Sequence, residues 1–134
     1  MRSLSRTEEH VGEWKVTIRA DTLEELFAEA ARVVSRSCET TRDAAGDWEP
    51  VSLAARDGES LLADWMNELL GRSEVNVRAY DDVRRLRIDG ARLEGEVRGR
   101  PLAEWRSPLK AATYHGLSVE QEDGRWRAVV LLDV

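Results

Sequence analysis

Apolar residues recur at three- and four-residue steps between Glu59 and Gly71. Leu61, Leu62, Trp65, Met66, Leu69 and Leu70 form one wide stripe on a predicted helix. Asp57 is placed to cap its start, and Gly71 is the residue expected to end it. A second helix is predicted from Asp21-Thr22-Leu23-Glu24-Glu25 to about Ser35. Its start carries a capping oxygen and first-turn glutamates, and Leu23, Leu26, Phe27, Ala30, Ala31 and Val34 face one side. Elsewhere the period drops to two. Trp14, Val16, Ile18 and Ala20 alternate with Lys15, Thr17 and Arg19, the pattern of a half-buried strand. Glu39–Gly46 reads as a loop. A strand lies within Trp48–Ala55, where Pro50 points to an edge or a late start. Leu86 and Ile88, a turn at Asp89-Gly90, then Leu93, Gly95 and Val97 predict a hairpin. Pro101–Pro108 reads as a loop or short helix. Ala111–Glu122 and Arg125–Val134 predict a second hairpin, turning at Asp123-Gly124. The order of elements predicts an α+β fold: a mainly antiparallel sheet with two helices packed on it, one domain over residues 1–134.

Composition adds limits rather than chemistry. The 134 residues suffice for one core, and 42% apolar with 34% charged residues describes an ordinary globular protein. A formal charge of −6 argues against a nucleic-acid coat or a membrane-surface protein. No apolar run approaches the roughly 20 residues that span a bilayer, and Met1–His10 lacks a signal core, so a cytoplasmic location without membrane contact is expected. The one cysteine, Cys38, can form neither an internal disulfide nor a metal knuckle.

Candidate chemistry is sparse. His10 and His115 lie far apart in sequence and each reads first as a surface or hydrogen-bonded residue. Glu13 precedes the first clear strand on the polar face of Lys15, Thr17 and Arg19. Asp133 follows the apolar run Ala128–Leu132, beside the terminal carboxylate of Val134. If the strands that carry them are neighbours, these oxygens converge into the hard ligand set of Ca²⁺, Mg²⁺ or Mn²⁺; otherwise they are solvated carboxylates. Arg84, Arg85, Arg87, Arg92, Arg98, Arg100, Arg106 and Lys110 give a local basic excess. It suits an RNA or an acidic partner, or the wet face of a hairpin whose charges pair across strands. Tyr114 could stack on a base or pack at a sheet edge.

Five segments together are more specific than any one of them. His10-Val11-Gly12-Glu13, Asp21-Thr22-Leu23-Glu24-Glu25-Leu26-Phe27, Leu61 through Leu70, Lys110-Ala111-Ala112-Thr113-Tyr114-His115 and Asp133 resemble, in order and near the right spacing, the archease family. Archeases assist the GTP-dependent RNA ligase of tRNA splicing and RNA repair. The resemblance implies an α+β domain that performs no chemistry itself but promotes guanylylation of the ligase and its multiple turnover, meeting RNA only indirectly. It also implies a divalent cation, Ca²⁺ before Mg²⁺ or Mn²⁺, bound through an aspartate of a His-Thr-Ala-Asp motif and C-terminal oxygens. Here those positions are Glu13, Asp133 and Val134, and His10, Lys110, Tyr114 and His115 are candidates for partner contact. His-Val-Gly-Glu in place of His-Thr-Ala-Asp makes the first ligand one methylene longer and removes the threonine hydroxyl. A metal-dependent enzyme acting on RNA or phosphate esters and an RNA-binding module are the competing readings.

Overall fold

The structure, a computed structural model, describes residues 3–38 and 44–134. Within Glu39–Gly46, residues 39–43 therefore lie outside the described residues. The chain runs β1 (Ser3–His10), β2 (Glu13–Ala20), α1 (Leu23–Arg36), β3 (Glu49–Ala54), α2 (Gly58–Asn76), β4 (Arg78–Asp89), β5 (Arg92–Pro101), β6 (Ala111–Glu122) and β7 (Arg125–Asp133). The α+β class holds, and the described strands pair antiparallel throughout. They divide between two sheets, ordered β1-β2-β7-β6 and β3-β5-β4.

Both helices pack against strands of both sheets. Their stripes meet in one core that includes Phe27, Leu61, Leu62, Trp65, Met66 and Leu69 with Val16, Ile18, Val130 and Leu132. Each such side chain taken out of water contributes roughly 1.5–3 kcal/mol. The Trp65 indole N–H finds a buried acceptor, the Phe27 carbonyl, at 2.8 Å. Because the helices cover one face of the four-stranded sheet, the other stays open. Glu13, Lys15 and Arg19 of β2 are exposed there, alternating with buried Val16, Ile18 and Ala20.

The helix starts form as the sequence predicts. Thr22 accepts the Glu25 amide at 3.1 Å and Asp57 accepts the Ser60 amide at 2.7 Å. The end of α2 differs from expectation. Gly71 sits inside the helix, which continues to Asn76 and stops at Val77 in the left-handed conformation, φ 54°. Arg72 carries the helix past the glycine, bonding Glu68 one turn back and the Pro50 carbonyl of β3.

Other differences have similarly local causes. Strand β1 escapes the apolar pattern because it is a polar edge strand, held by β2 on one side and by Glu29 of α1 below. Glu29 accepts Ser5 at 2.6 Å, Arg32 at 2.9 Å and Arg36 at 2.5 Å. Strand β4 begins at Arg78, well before Leu86. Its register shifts between Ala79 and Asp82 and between Arg84 and Arg87, and each irregularity interrupts the two-residue period. Pro50 lies on edge strand β3, as expected. Pro101 closes β5, and residues 102–110 follow without a helix.

Candidate functional site

The β1–β2 turn and the β7 end occupy the same end of the four-stranded sheet. His10 and Glu13 pair across β1–β2, Glu13 and Asp133 pair across β2–β7, and Asp133 and Ala111 pair across β7–β6. Main-chain bonds fix the row. The Val134 amide donates to the Gly12 carbonyl at 3.2 Å, and the Lys110 amide donates to the Asp133 carbonyl at 2.8 Å. Glycine is needed at position 12, where φ is 79°. Glu13 and Asp133, 120 residues apart in sequence, thus lie directly opposite on adjacent strands, with their side chains exposed on the open face.

Two carboxylates at cross-strand spacing supply hard oxygen donors for a divalent cation that keeps much of its water shell. Among the described residues no group of three His, Cys, Asp or Glu side chains comes close enough to make a fuller cage. In donor chemistry the pair fits such an ion; in donor number it is open.

Tyr114 and His115 are built differently. Thr113 pairs with Leu131 and Ser118 with Val129, so four residues of β6 stand opposite one of β7. The resulting bulge exposes Tyr114, His115 and Gly116, with Gly116 at φ 67° and close against Leu131. The Tyr114 hydroxyl donates to the carboxylate of Asp64 on α2. That hydrogen bond, with the negative charge beside it, raises the phenol above its usual range. One helical turn on, the Asn67 amide bonds both main-chain groups of Ala112, donating at 3.0 Å and accepting at 2.7 Å. Asn67 therefore does for the outer edge of β6 what a further strand would do. Sequence reasoning assigned Asp64 and Asn67 no role. Their spacing of three on α2, next to the apolar stripe, was the available signal.

The two histidines are not brought together. His10 and His115 belong to β1 and β6, opposite edges of the sheet, separated sideways by β2 and β7, about 14 Å, and offset further along the strands, since His10 is level with Ala111. Most of the basic excess resolves into ion pairs, largely across strands, with Arg92 and Lys110 outside them among the described residues. Arg84 and Arg85 reach Glu96 at 3.2 Å, Arg87 reaches Glu94 at 3.4 Å, and Arg98 reaches Asp82 at 2.6 Å. Arg84 and Arg98 also lie over the Trp48 ring, 4.2 and 4.4 Å from its centroid. The bonds and charge of Arg84, foremost, and of Arg85 hold the Glu96 carboxyl below the usual range. Arg100 pairs with Asp81 and Arg106 with Glu104, so the hairpin face presents paired charge rather than a cationic stripe. Among the described residues no helix is long and apolar enough to cross a membrane.

Comparison with known proteins agrees with this geometry over nearly the whole length. The model of the Archease protein family (MTH1598/TM1083) matches residues 6–134. The chain is 36% identical to the protein archease of Methanopyrus kandleri, over 94% of this chain and 96% of the relative. It is 32% identical to that of Methanosarcina mazei, over 94% and 92%. The solution structure of Methanobacterium thermoautotrophicum protein 1598 superposes with a TM-score of 0.76 at 27% identity, covering 97% of this chain and 98% of that one. An archease of Thermotoga maritima, described as a possible chaperone, shares the fold with a TM-score of 0.69 at 21% identity, covering 96% of each chain.

Proposed function

The chain belongs to the archease family, and from that premise we propose that it is a non-catalytic activator of a GTP-dependent RNA ligase in tRNA splicing or RNA repair. It promotes guanylylation of the ligase and lets it turn over repeatedly. The observation that carries the reading is the row His10–Glu13–Asp133. Segments the family resemblance singles out from both ends of the chain meet there on an exposed face, with the Lys110 main chain joined to its end.

Glu13 and Asp133 hold the divalent cation in this reading, and Val134 stands beside them. The ion supplies positive charge at an otherwise anionic surface. The chain's own residues set the frame: the Gly12 carbonyl and the Lys110 amide lock the β7 end, and Asn67 fixes β6 so that the Tyr114–His115 bulge keeps its position. Contact with the partner is assigned to this end of the sheet, through His10, Lys110, Tyr114 and His115. The competing enzyme reading needs a general base beside the carboxylates; His10, cross-strand from Glu13, is the imidazole placed there, and the protein-alone arm of the test below separates the two readings. The cross-strand pairing of the arginines counts against an RNA-binding module.

The test is guanylylation of the ligase from the same organism, read as label transferred from GTP in the presence of Mn²⁺. Addition of this protein should raise the extent or rate of labelling, and the protein alone should neither take up label nor join RNA ends. Labelling indifferent to the protein at every ratio, or ligation by the protein alone, would overturn the proposal.

A further inference from the structure

The far end of the same open sheet face carries an unusual pairing. Arg19 of β2 lies directly opposite Arg127 of β7, six residues along each strand from Glu13 and Asp133. Like charges directly opposite across a ladder repel and are ordinarily separated by a carboxylate. Among the described residues neither arginine forms an ion pair within 4.0 Å, whereas neighbouring Arg125 reaches Asp21 at 3.5 Å. Both line a cavity of about 360 Å³, a size suited to a small ligand, whose apolar wall includes Leu4.

We infer that Arg19 and Arg127 bind a single phosphate group, carried by a small phosphorylated molecule whose remainder lies against Leu4, the cross-strand neighbour of Arg19. Each guanidinium offers a rigid fork of donors, and two adjacent forks need an acceptor with oxygens pointing in more than two directions. A tetrahedral phosphate satisfies both forks, whereas a planar carboxylate serves one. The rest of the rim limits the ligand. Asp21, Glu122 and Asp123 line the same cavity, and Glu120 is the cross-strand neighbour of Arg127. A polyanion running past the arginines would meet these carboxylates along its length, while one phosphate needs only the two guanidinium groups. The site is separate from the Glu13–Asp133 end and does not depend on the ligase reading.

The full chain is titrated at low ionic strength with inorganic phosphate, with acetate and with a short oligouridylate lacking terminal phosphates. Binding is followed through the arginine side-chain and backbone NMR signals. Phosphate should shift the signals of Arg19 and Arg127, and Arg19→Gln or Arg127→Gln should each weaken it at least tenfold. Arg19 is exposed and Arg127 half-buried, neither in the core, so the unliganded variants should melt at or above the wild-type temperature, the repulsion being relieved. Should a glutamine variant fail to fold, Arg127→Lys keeps the charge but loses the fork, and must still weaken phosphate binding severalfold. Equal binding of acetate and phosphate, tighter binding of the oligouridylate through these arginines, or phosphate binding unchanged in the variants would each overturn the inference.

Discussion

Replacing Asn67 by alanine removes both hydrogen bonds that tie α2 to the outer edge of β6, at 3.0 and 2.7 Å. Each bond contributes about 0.5–1.5 kcal/mol net, and the loss is larger when the partner left behind is buried. Ala112 is 5% exposed, so its amide and carbonyl regain little water, and the expected loss is about 2–3 kcal/mol. In a domain of this length that corresponds to a fall in melting temperature of roughly 6–12 °C. Chemical denaturation gives the free energy and a thermal melt gives the midpoint. Asn67→Asp separates the two bonds: its carboxylate still accepts the Ala112 amide but offers nothing to the carbonyl. It should cost about 1–2 kcal/mol at neutral pH and less where the carboxyl is protonated and can donate. A loss under about 0.5 kcal/mol for Asn67→Ala, the range of an ordinary surface change, would refute the view that α2 completes the edge of β6.

Three further outcomes follow from the same structure. Burial pushes the Glu29 carboxyl up, but bonds from Ser5, Arg32 and Arg36 outweigh it and hold the group below the ordinary value of 4.5. Its stabilisation is therefore complete above that value and is lost as pH falls through the lower folded value. Glu29→Gln should destabilise by about 1–3 kcal/mol at neutral pH and flatten the acid limb of a stability–pH curve. The Tyr114 phenol, raised by its bond to Asp64, should ionise above the ordinary value of 10 in an alkaline absorbance titration. Asp64→Asn should bring it down. Because the folded value is the higher one, the bond stabilises below the ordinary value and its contribution fades as pH rises through the folded one. Gly71→Ala, at an exposed helical position with nothing within 4 Å of an added Cβ, should stabilise by about 0.5–1 kcal/mol in denaturant unfolding; a loss would contradict a continuous helix through that residue.

The parts of this fold visible in the sequence are those where burial writes a period. The stripes of α1 and α2 and the alternation of β2 read correctly because each buried side chain lies a fixed step from the next. The Asp123-Gly124 turn falls where expected, and the first hairpin turns one residue later than expected, at Gly90-Ala91, with Asp89 paired to Arg92. What stayed hidden has polar or irregular causes. Ser3–His10 holds its place through a ladder and Glu29, and the early half of β4 loses its alternation at two register shifts. Gly71 is a helix stop only if the next residues have nothing to hold them, and Arg72 has Glu68 and Pro50. The site was legible conditionally. Glu13 and Asp133 could be named as oxygen donors, but their adjacency required β2 and β7 to be neighbours, which no local pattern encodes. The Asp64–Tyr114 and Asn67–Ala112 contacts join residues 50 and 45 positions apart, and the spacing of Asp64 and Asn67 on α2 marks a shared face without saying what it meets.

In the proposed function the Glu13–Asp133 end of the sheet drives a ligase through more than one cycle. The measurement is RNA joining by the ligase from the same organism at substrate in large excess. It uses a 3′-phosphate or 2′,3′-cyclic phosphate end, a 5′-hydroxyl partner, GTP and Mn²⁺, with wild-type protein, Glu13→Gln and Asp133→Asn compared. Both positions are exposed, so the variants should melt like the wild type. Repeated turnover is expected with the wild type, and joining that stalls near one product per ligase with either variant. Full stimulation by both variants, or none by the wild type at any ratio, would contradict it.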